Sequence, residues 1–318
     1  MISTPLLRHF FRAVCGVVFA SLAGCATHSC QTKIPLPARE RFTEFHVQGP
    51  GGHCYPIYRT PRNGPPVLVL HELNGLSAPP LDFSLELGSK QWTVYAPALY
   101  GEYGDSRPVS ALRELKRDPR WKVSDPDDSG PILDDVAALI GWISRQHRGQ
   151  RVIVMGNCLT GGFPLAFLER RDVKAAILCQ PAMPLPEGLW QTLFKTQPAA
   201  AKRALALPVD RVQRSLVAMR RDRSKVLLGF HYLEDPIAPI EKFHTLHHLL
   251  SQHSLAGRFT PVILVPPGSN SNEPWWKIHP TQVRRGLLKP HNTVTESGSE
   301  ADRLAMRSEL YRRMERLR

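Results

Sequence analysis

Several features that mark whole classes of protein are missing from this sequence. No two cysteines have the Cys-x-x-Cys spacing of thiol redox proteins, which disfavours that class. No stripe of basic residues is interleaved with aromatic ones, so nucleic-acid binding is disfavoured although the formal net charge is +13. His244, His247 and His248 have a spacing that could bind zinc, but no further ligand cluster supports a metal site.

Long apolar runs are also missing, and the apolar stretch Ala13–Ala23 is too short to span a bilayer permanently. The remaining composition, with 42% hydrophobic and 22% charged residues among 318, is that of a globular protein. Its length permits one large α/β domain or two small ones. The excess of basic residues is spread along the chain and favours a surface that rests against anionic lipid or cell-wall polymer.

The N-terminus has the composition of a secretory signal. Arg8 and Arg12 precede the apolar stretch, which ends in Leu22-Ala-Gly-Cys25. This ending resembles the lipobox of bacterial lipoproteins, and the resemblance implies that Cys25 is diacylated and begins the mature chain. Two acyl chains anchor a protein stably where one does not. An ordinary signal peptide or an uncleaved anchor is the alternative.

The resemblance predicts a lipid-anchored protein of the cell envelope that faces the periplasm. Ala26 after the lipidated cysteine favours the outer membrane. We therefore expect a signal peptide over residues 1–24, a tether over 25–42 and a folded domain over 43–318. In an oxidising compartment Cys30 and Cys54 could form a disulfide, or both could remain thiols.

Apolar runs that alternate with helical patterns predict the fold class. Strands are expected at these stretches: Phe45–Val47, Cys54–Tyr58, Pro65–Leu70, Trp92–Pro97, Val152–Met155, Val173–Leu178, Val226–Tyr232 and Pro261–Val265. Helical periodicity marks others, among them Ile132–Gln146. The pattern predicts an α/β protein with a mostly parallel, doubly wound sheet and helices on both faces. Residues 105–130 and 181–221 are expected to form a small cap and a lid-like insertion.

The stretch Arg151–Ala166 is typical of a nucleophile elbow. Val152–Met155 is a buried strand, Gly156 breaks it, and a helical pattern follows Cys158. A helix that starts at the cysteine would point its free N–H groups and positive dipole end at the sulfur. This arrangement lowers a cysteine pKa and favours the nucleophilic thiolate. The backbone N–H of Leu159 is then placed to hold an oxyanion.

The elbow residues resemble the dienelactone hydrolase family, whose elbow commonly has the pattern G-x-C-x-G-G. This chain has Gly156-Asn-Cys158-Leu-Thr160-Gly161, with Thr160 in a position where the family usually has glycine. Such a threonine must find room or shift the turn. The alternative for Cys158 is a buried structural cysteine.

A second segment, His71-Glu-Leu-Asn-Gly75, resembles a turn of the same family. The resemblance implies that Glu72 holds and helps to activate the cysteine, and that the N–H of Leu73 is the second oxyanion donor. A loop at the carboxyl edge of the sheet is the place from which such a donor faces the elbow. The alternative is that Glu72 is a loop carboxylate in water.

The remaining triad members follow in the order of α/β-hydrolases, nucleophile, acid and histidine. Asp235 comes after a late strand, where the family has its acid; an N-cap aspartate is the alternative. The histidine should lie between the last strand and the last helix. There we favour His291 over His279 as the base.

These residues predict an α/β-hydrolase that cleaves a carboxylic ester or lactone through an acyl-thioester on Cys158. Such a reaction needs no metal or organic cofactor. The expected partners are a small-molecule substrate and, through Cys25, a membrane. The alternative from another class is a non-catalytic envelope lipoprotein that uses a hydrolase fold as a binding module.

Overall fold

A computed structural model describes residues 40–101, 108–186, 198–233, 235, 237–264 and 300–318 of the chain. Its centre is an eight-stranded sheet in the order β1-β2-β4-β3-β5-β6-β7-β8. The strands are β1 (Thr43–Gln48), β2 (Cys54–Arg59), β3 (Pro66–Leu70), β4 (Thr93–Pro97), β5 (Val152–Asn157), β6 (Val173–Cys179), β7 (Val226–Tyr232) and β8 (Val262–Leu264). Strand β2 is antiparallel to β1 and β4, and the pairs from β4 to β8 are parallel.

Helices cover both faces of this sheet. They are α1 (Ala78–Ser89), α2 (Pro108–Arg117), α3 (Ile132–Gln146), α4 (Phe163–Ala166), α5 (Ala199–Arg203), α6 (Val209–Arg221), α7 (Glu241–Gln252) and α8 (Glu300–Glu315). Apolar side chains of α1 and α8 pack on one face of the sheet. Those of α3, α6 and α7 pack on the other face. Because both faces are covered, the central strands are apolar throughout rather than alternating, as the sequence indicated.

The predicted elements agree closely with the observed ones. The bounds of α3 and β7 are those expected from the sequence, and β1 and β2, both predicted as strands, pair antiparallel at one edge of the sheet. Strand β5 runs two residues beyond Met155, and so brings Gly156 and Asn157 into the sheet. The predicted doubly wound, mostly parallel sheet is confirmed.

Two expectations were wrong. The continuous helix predicted after Cys158 is a single 3-10 turn, Cys158–Thr160, followed by the four-residue α4. The sulfur therefore lacks the long helix dipole that the sequence predicted. The pattern Val209–Met219 was assigned to a lid-like insertion, but α6 is the crossover helix between the parallel strands β6 and β7. Its residues Val212, Leu216 and Met219 are buried in the core.

Several predicted features lie outside the described residues, namely the signal peptide, Cys25, Cys30, His279 and His291. Cys54 is disulfide-bonded, whereas the other two described cysteines, Cys158 and Cys179, are buried thiols. The partner of Cys54 is thus not a described residue. In the described part of the chain, no helix combines the length and apolarity needed to cross a bilayer.

Candidate active site

Cys158 stands at the turn between β5 and the 3-10 helix. Its φ is +50°, in the left-handed region that side-chain-bearing residues rarely adopt. Such strain persists where the surroundings over-determine it, and it is common at functional sites. Here the Cys158 carbonyl accepts hydrogen bonds from Gly161 N and Ala182 N, both at 2.9 Å. The predicted sharp turn is present, and it is held by its own residues and by the segment after β6.

Two glycines make this turn possible by close approach. A Cβ on Gly156 would lie 2.1 Å from the carbonyl oxygen of Thr160. A Cβ on Gly161 would lie 2.5 Å from the carbonyl oxygen of Cys179. Both contacts are with backbone, which cannot move aside as a flexible side chain can. The glycines in the elbow motif are therefore required by packing.

Thr160, the departure from the family's elbow pattern, fits without displacing the turn. It is fully buried, and its hydroxyl accepts a hydrogen bond from Asn157 N at 3.1 Å. The same Oγ1 lies 3.0 Å from the carbonyl of His71 and 3.2 Å from that of Asn157, to either of which it can donate. Thr160 thus connects the elbow to the end of β3, a bond that glycine could not make.

The loop after β3 lies beside the elbow because of strand register. Leu70 on β3 pairs with Gly156 on β5, and beyond this pair Asn157 Nδ2 donates to the Leu70 carbonyl and Thr160 Oγ1 to the His71 carbonyl, both at 3.0 Å. Glu72, Leu73, Asn74 and Gly75 form a turn closed by a 3.0 Å hydrogen bond from Gly75 N to the Glu72 carbonyl. Glu72 is 4% exposed, so the alternative of a solvated loop carboxylate is wrong.

The peptide group between Glu72 and Leu73 is fixed in orientation. Its carbonyl accepts hydrogen bonds from Gly75 N, from the Tyr100 hydroxyl at 2.6 Å and from His71 Nδ1 at 2.9 Å. In a trans peptide the N–H points away from the carbonyl. The Leu73 N–H is therefore held away from these three donors. Neither this N–H nor that of Leu159 donates to any described residue.

The tautomer of His71 follows from its two contacts. Nε2 accepts a 3.0 Å hydrogen bond from Leu99 N, so the proton is on Nδ1, which donates to the Glu72 carbonyl. Complete burial lowers the pKa of His71 from 6.5 to about 4. With both nitrogens engaged and the ring neutral, His71 orients a peptide group and is not available as a base.

This burial predicts a pH dependence of stability. Below pH 6.5 the unfolded chain protonates His71 while the folded protein does not, so the free energy of unfolding falls as pH decreases from 6.5 towards 4. The full loss should approach about 3 kcal/mol. Urea unfolding at pH 7 and 4.5 measures it. A His71→Gln variant should lose less between these two values; an equal loss would contradict the assignment.

Tyr100 stands between this loop and the nucleophile. Burial raises the pKa of its hydroxyl well above the usual range, and a Cys158 thiolate raises it further. The hydroxyl therefore stays protonated and donates to the Glu72 carbonyl. The ring of Tyr100 contacts His71 edge-on, with centroids 4.8 Å apart.

We expect Tyr100→Phe to lower kcat for ester hydrolysis by about tenfold, because the Leu73 N–H stays in place but loses one of three anchors. KM should change little. Steady-state kinetics measure both, with Tyr95→Phe as the matched control, since the Tyr95 hydroxyl contacts His147 at 2.9 Å. An unchanged kcat would show that the Tyr100 hydroxyl does not help to orient the peptide group between Glu72 and Leu73.

Asp235 lies at the same edge of the sheet, beyond β7. Its Oδ1 accepts hydrogen bonds from Ile237 N at 2.8 Å and Ala238 N at 2.9 Å, and the side chain is 8% exposed. The alternative of a helix N-cap is wrong, because α7 begins at Glu241 and its N-cap is Ile240. The carboxylate closes a turn instead.

Sequence reasoning missed Gln180, whose side-chain Nε2 donates to Oδ2 of Asp235. Gln180 follows the last residue of β6 and has a φ of +46°. Its position directly after an apolar strand and before Pro181 was the available signal. The contact with Asp235 spans 55 residues of sequence and could not be inferred locally.

A cap strap, residues 118–130, packs over the elbow. Trp121 contacts Tyr100 edge-on, with ring centroids 5.2 Å apart, and stacks on Phe163 at 5.7 Å. The strap is joined to the segment after β6 by a 2.7 Å hydrogen bond from Leu185 N to the Val123 carbonyl. This part of the predicted cap is present, and it supplies an aromatic wall beside Cys158.

The structure thus brings Cys158, Glu72, Leu73, Leu159 and Asp235 to one edge of the sheet. His291 and its competitor His279 lie outside the described residues, so the base stays a prediction. Among the described residues, no three histidine, cysteine, aspartate or glutamate side chains group closely enough to hold a metal ion.

Comparison with known proteins addresses the fold. No protein-family model and no curated protein matches the sequence. Among solved structures, one named as a candidate dienelactone hydrolase from Klebsiella pneumoniae subsp. pneumoniae aligns at a TM-score of 0.50 and 17% identity. The alignment covers 85% of this chain and 96% of that one.

A dienelactone hydrolase-like promiscuous phosphotriesterase from metagenomic libraries aligns at a TM-score of 0.52 and 13% identity. The alignment covers 87% of this chain and 99% of that chain. The chain has the α/β-hydrolase fold. At these identities the α/β-hydrolase likeness concerns architecture, and the chemistry is argued from the site.

Proposed function

We propose that this protein is a hydrolase that cleaves a carboxylic ester or lactone through Cys158. The observation that carries the proposal is the elbow itself. Cys158 is held in a left-handed conformation at the end of β5, and the N–H groups of Leu73 and Leu159 have no acceptor among the described residues. A buried nucleophile beside two free donors is the arrangement that acyl transfer requires.

In the proposed reaction the Cys158 thiolate attacks the substrate carbonyl carbon, and the Leu73 and Leu159 N–H groups stabilise the oxyanion. When the oxyanion collapses, the carbon–oxygen bond breaks and the leaving alkoxide takes a proton from the protonated histidine, predicted as His291. Water then attacks the thioester, its proton passes to the histidine, and the acid leaves as the thiolate is restored. Asp235 would hold the histidine tautomer, and Glu72 would hold the resting cysteine.

Detection of the acyl-thioester tests this proposal. The protein is mixed with p-nitrophenyl acetate, quenched in acid within milliseconds to seconds, and digested for mass spectrometry. We expect acetyl on the peptide that contains Cys158, formed and lost at the rate of turnover. If folded protein with a reduced Cys158 thiol does not turn over this short ester, the result would instead favour the alternative of a non-catalytic binding module.

The envelope location remains a proposal of its own. It is supported by the Leu22-Ala-Gly-Cys25 sequence. Expression of the full chain and of Cys25→Ala, followed by detergent phase partition, tests it. The wild-type chain should enter the detergent phase and the variant should not; equal partition of both would contradict lipidation.

A further inference from the structure

We propose that Gln180 is a positioning residue that holds Asp235 in the orientation needed to serve the catalytic histidine. The inference rests on the proposed function and deepens it, since it adds to the same site a residue outside the predicted triad. Four observations carry it: the place of Gln180 in the sheet, its contact with Asp235, its connection to the elbow, and its lack of charge.

Gln180 occupies the position between nucleophile and acid. Asn157 on β5 pairs with Cys179 on β6, which pairs with Phe230 on β7. Gln180 follows Cys179 at the end of β6, just as Cys158 follows Asn157 at the end of β5. Its backbone N–H donates to the Phe230 carbonyl at 3.0 Å, so the main chain stays fixed to β7.

The side chain of Gln180 is fully buried and completes the support of the Asp235 carboxylate. One carboxylate oxygen, Oδ1, is held by the backbone of Ile237 and Ala238, and the other, Oδ2, accepts from Gln180 Nε2. The amide orientation is determined, because an amide oxygen facing a carboxylate would be repelled. Loss of the Gln180 donor would weaken the support of Oδ2 and, with it, the fixed orientation of the Asp235 carboxylate.

The same segment is in direct contact with the elbow. Pro181 lies against Gly161, where an added Cβ would come within 2.8 Å of its Cα. Ala182 N donates to the Cys158 carbonyl at 2.9 Å. Three consecutive residues thus hold the acid with a side chain and the nucleophile turn with the backbone, which fixes the distance between the two.

A neutral donor suits this position for an electrostatic reason. A hydrogen bond to a carboxylate favours its charged form. A lysine or arginine here would also oppose the positive charge that develops on the histidine, whereas glutamine adds a donor without charge. Ionisable side chains of other described residues at this edge of the sheet include His71, Glu72, Tyr100, Cys158, Cys179, His231 and Tyr232.

Two substitutions of nearly equal size test the inference. Gln180→Met keeps the length and removes the donor. We expect kcat for p-nitrophenyl acetate to fall by about tenfold to a hundredfold with KM within twofold, since substrate is not contacted. Gln180→Glu can donate to Asp235 only while protonated. Its kcat relative to wild type should therefore be highest at acidic pH and fall as pH rises, a dependence that Gln180→Met should not show.

A stability control separates positioning from loss of structure. Ser215 is fully buried, and its Oγ accepts a 3.1 Å hydrogen bond from Glu169 N on the far side of α4. Ser215→Ala should lower the unfolding temperature and leave kcat and its pH profile unchanged. If Gln180→Met keeps wild-type kcat, if only KM changes, or if the Gln180→Glu ratio is independent of pH, the inference is wrong.

A second readout keeps the test independent of turnover. The rate of Cys158 alkylation by iodoacetamide, located by mass spectrometry, reports the thiolate and its base without any ester. If the wild-type protein hydrolyses no ester, the proposed function is overturned, but the role of Gln180 is not yet decided. The alkylation profiles of the two Gln180 variants would then decide the inference: displaced from wild type they support it, and superimposed on wild type they contradict it.

Discussion

Cys158→Ala should lower the turnover of an activated ester by about four to six orders of magnitude, leaving at most the rate enhancement of the empty oxyanion hole. The physical reason is that without the sulfur the two N–H donors at Leu73 and Leu159 can stabilise only an oxyanion formed by water, a much weaker nucleophile than a thiolate. Stability should change little, because the side chain is small and stands at the end of a strand rather than within the sheet. Stopped-flow or steady-state hydrolysis of p-nitrophenyl acetate measures the effect.

Cys179, the other buried thiol among the described residues, provides a matched control for this variant. Cys179 is buried in the apolar layer beneath α1 and α8, on the adjacent strand. Cys179→Ala should keep wild-type turnover and cost about 1 kcal/mol of stability for the lost packing. Turnover that survives Cys158→Ala, or disappears in Cys179→Ala with the fold intact, would place the nucleophile elsewhere.

The second large effect is expected from Gly156→Ala. The added methyl group would lie 2.1 Å from the Thr160 carbonyl oxygen and 2.9 Å from Cδ of Pro164. The 3-10 turn must then move away from β5 and carry Cys158 with it. We expect a loss of about 3 kcal/mol in the free energy of unfolding and a fall in kcat of at least about a hundredfold. Urea unfolding and ester kinetics on the same sample measure the two.

Gly141→Ala is the matched control, and its expected sign is opposite. Gly141 lies within α3, and the nearest atoms to an added Cβ are side-chain nitrogens of Arg170 and Arg145 at 3.4 and 3.5 Å. Alanine in a helix interior is favoured over glycine, so this variant should be stabilised by up to about 1 kcal/mol with kcat unchanged. Equal behaviour of the two variants would show that the close approach at Gly156 is not what limits the turn.

Much of the fold could be predicted because strands and helices are recorded in local periodicity. An apolar run such as Val226–Tyr232 fits a strand covered on both faces, and the spacing in Ile132–Gln146 fits one helix face. The lid-like assignment of Val209–Met219 failed for the same reason. An amphipathic pattern does not distinguish a lid from the crossover helix that parallel strands β6 and β7 require.

The helix expected after Cys158 failed for a different reason. Its apolar spacing is helical, but the Cys158 carbonyl is bound by Ala182 as well as Gly161, and Gly161 packs against the end of β6. These contacts shorten the segment to a 3-10 turn and a single helical turn. Local preference for a helix was overruled by packing between neighbouring strands.

The sequence by itself determined the order of strands and helices, the glycine-rich turn at Cys158 and the residue types of the candidate site. Only the tertiary structure decided which of them meet. The neutral tautomer of His71 depends on Leu99, and the support of Asp235 depends on Gln180, 55 residues away. Hydrophobic periodicity indicates only which face of a local helix or strand is buried. Hydrogen bonds between distant loops form only when strand register brings those loops to one edge of the sheet.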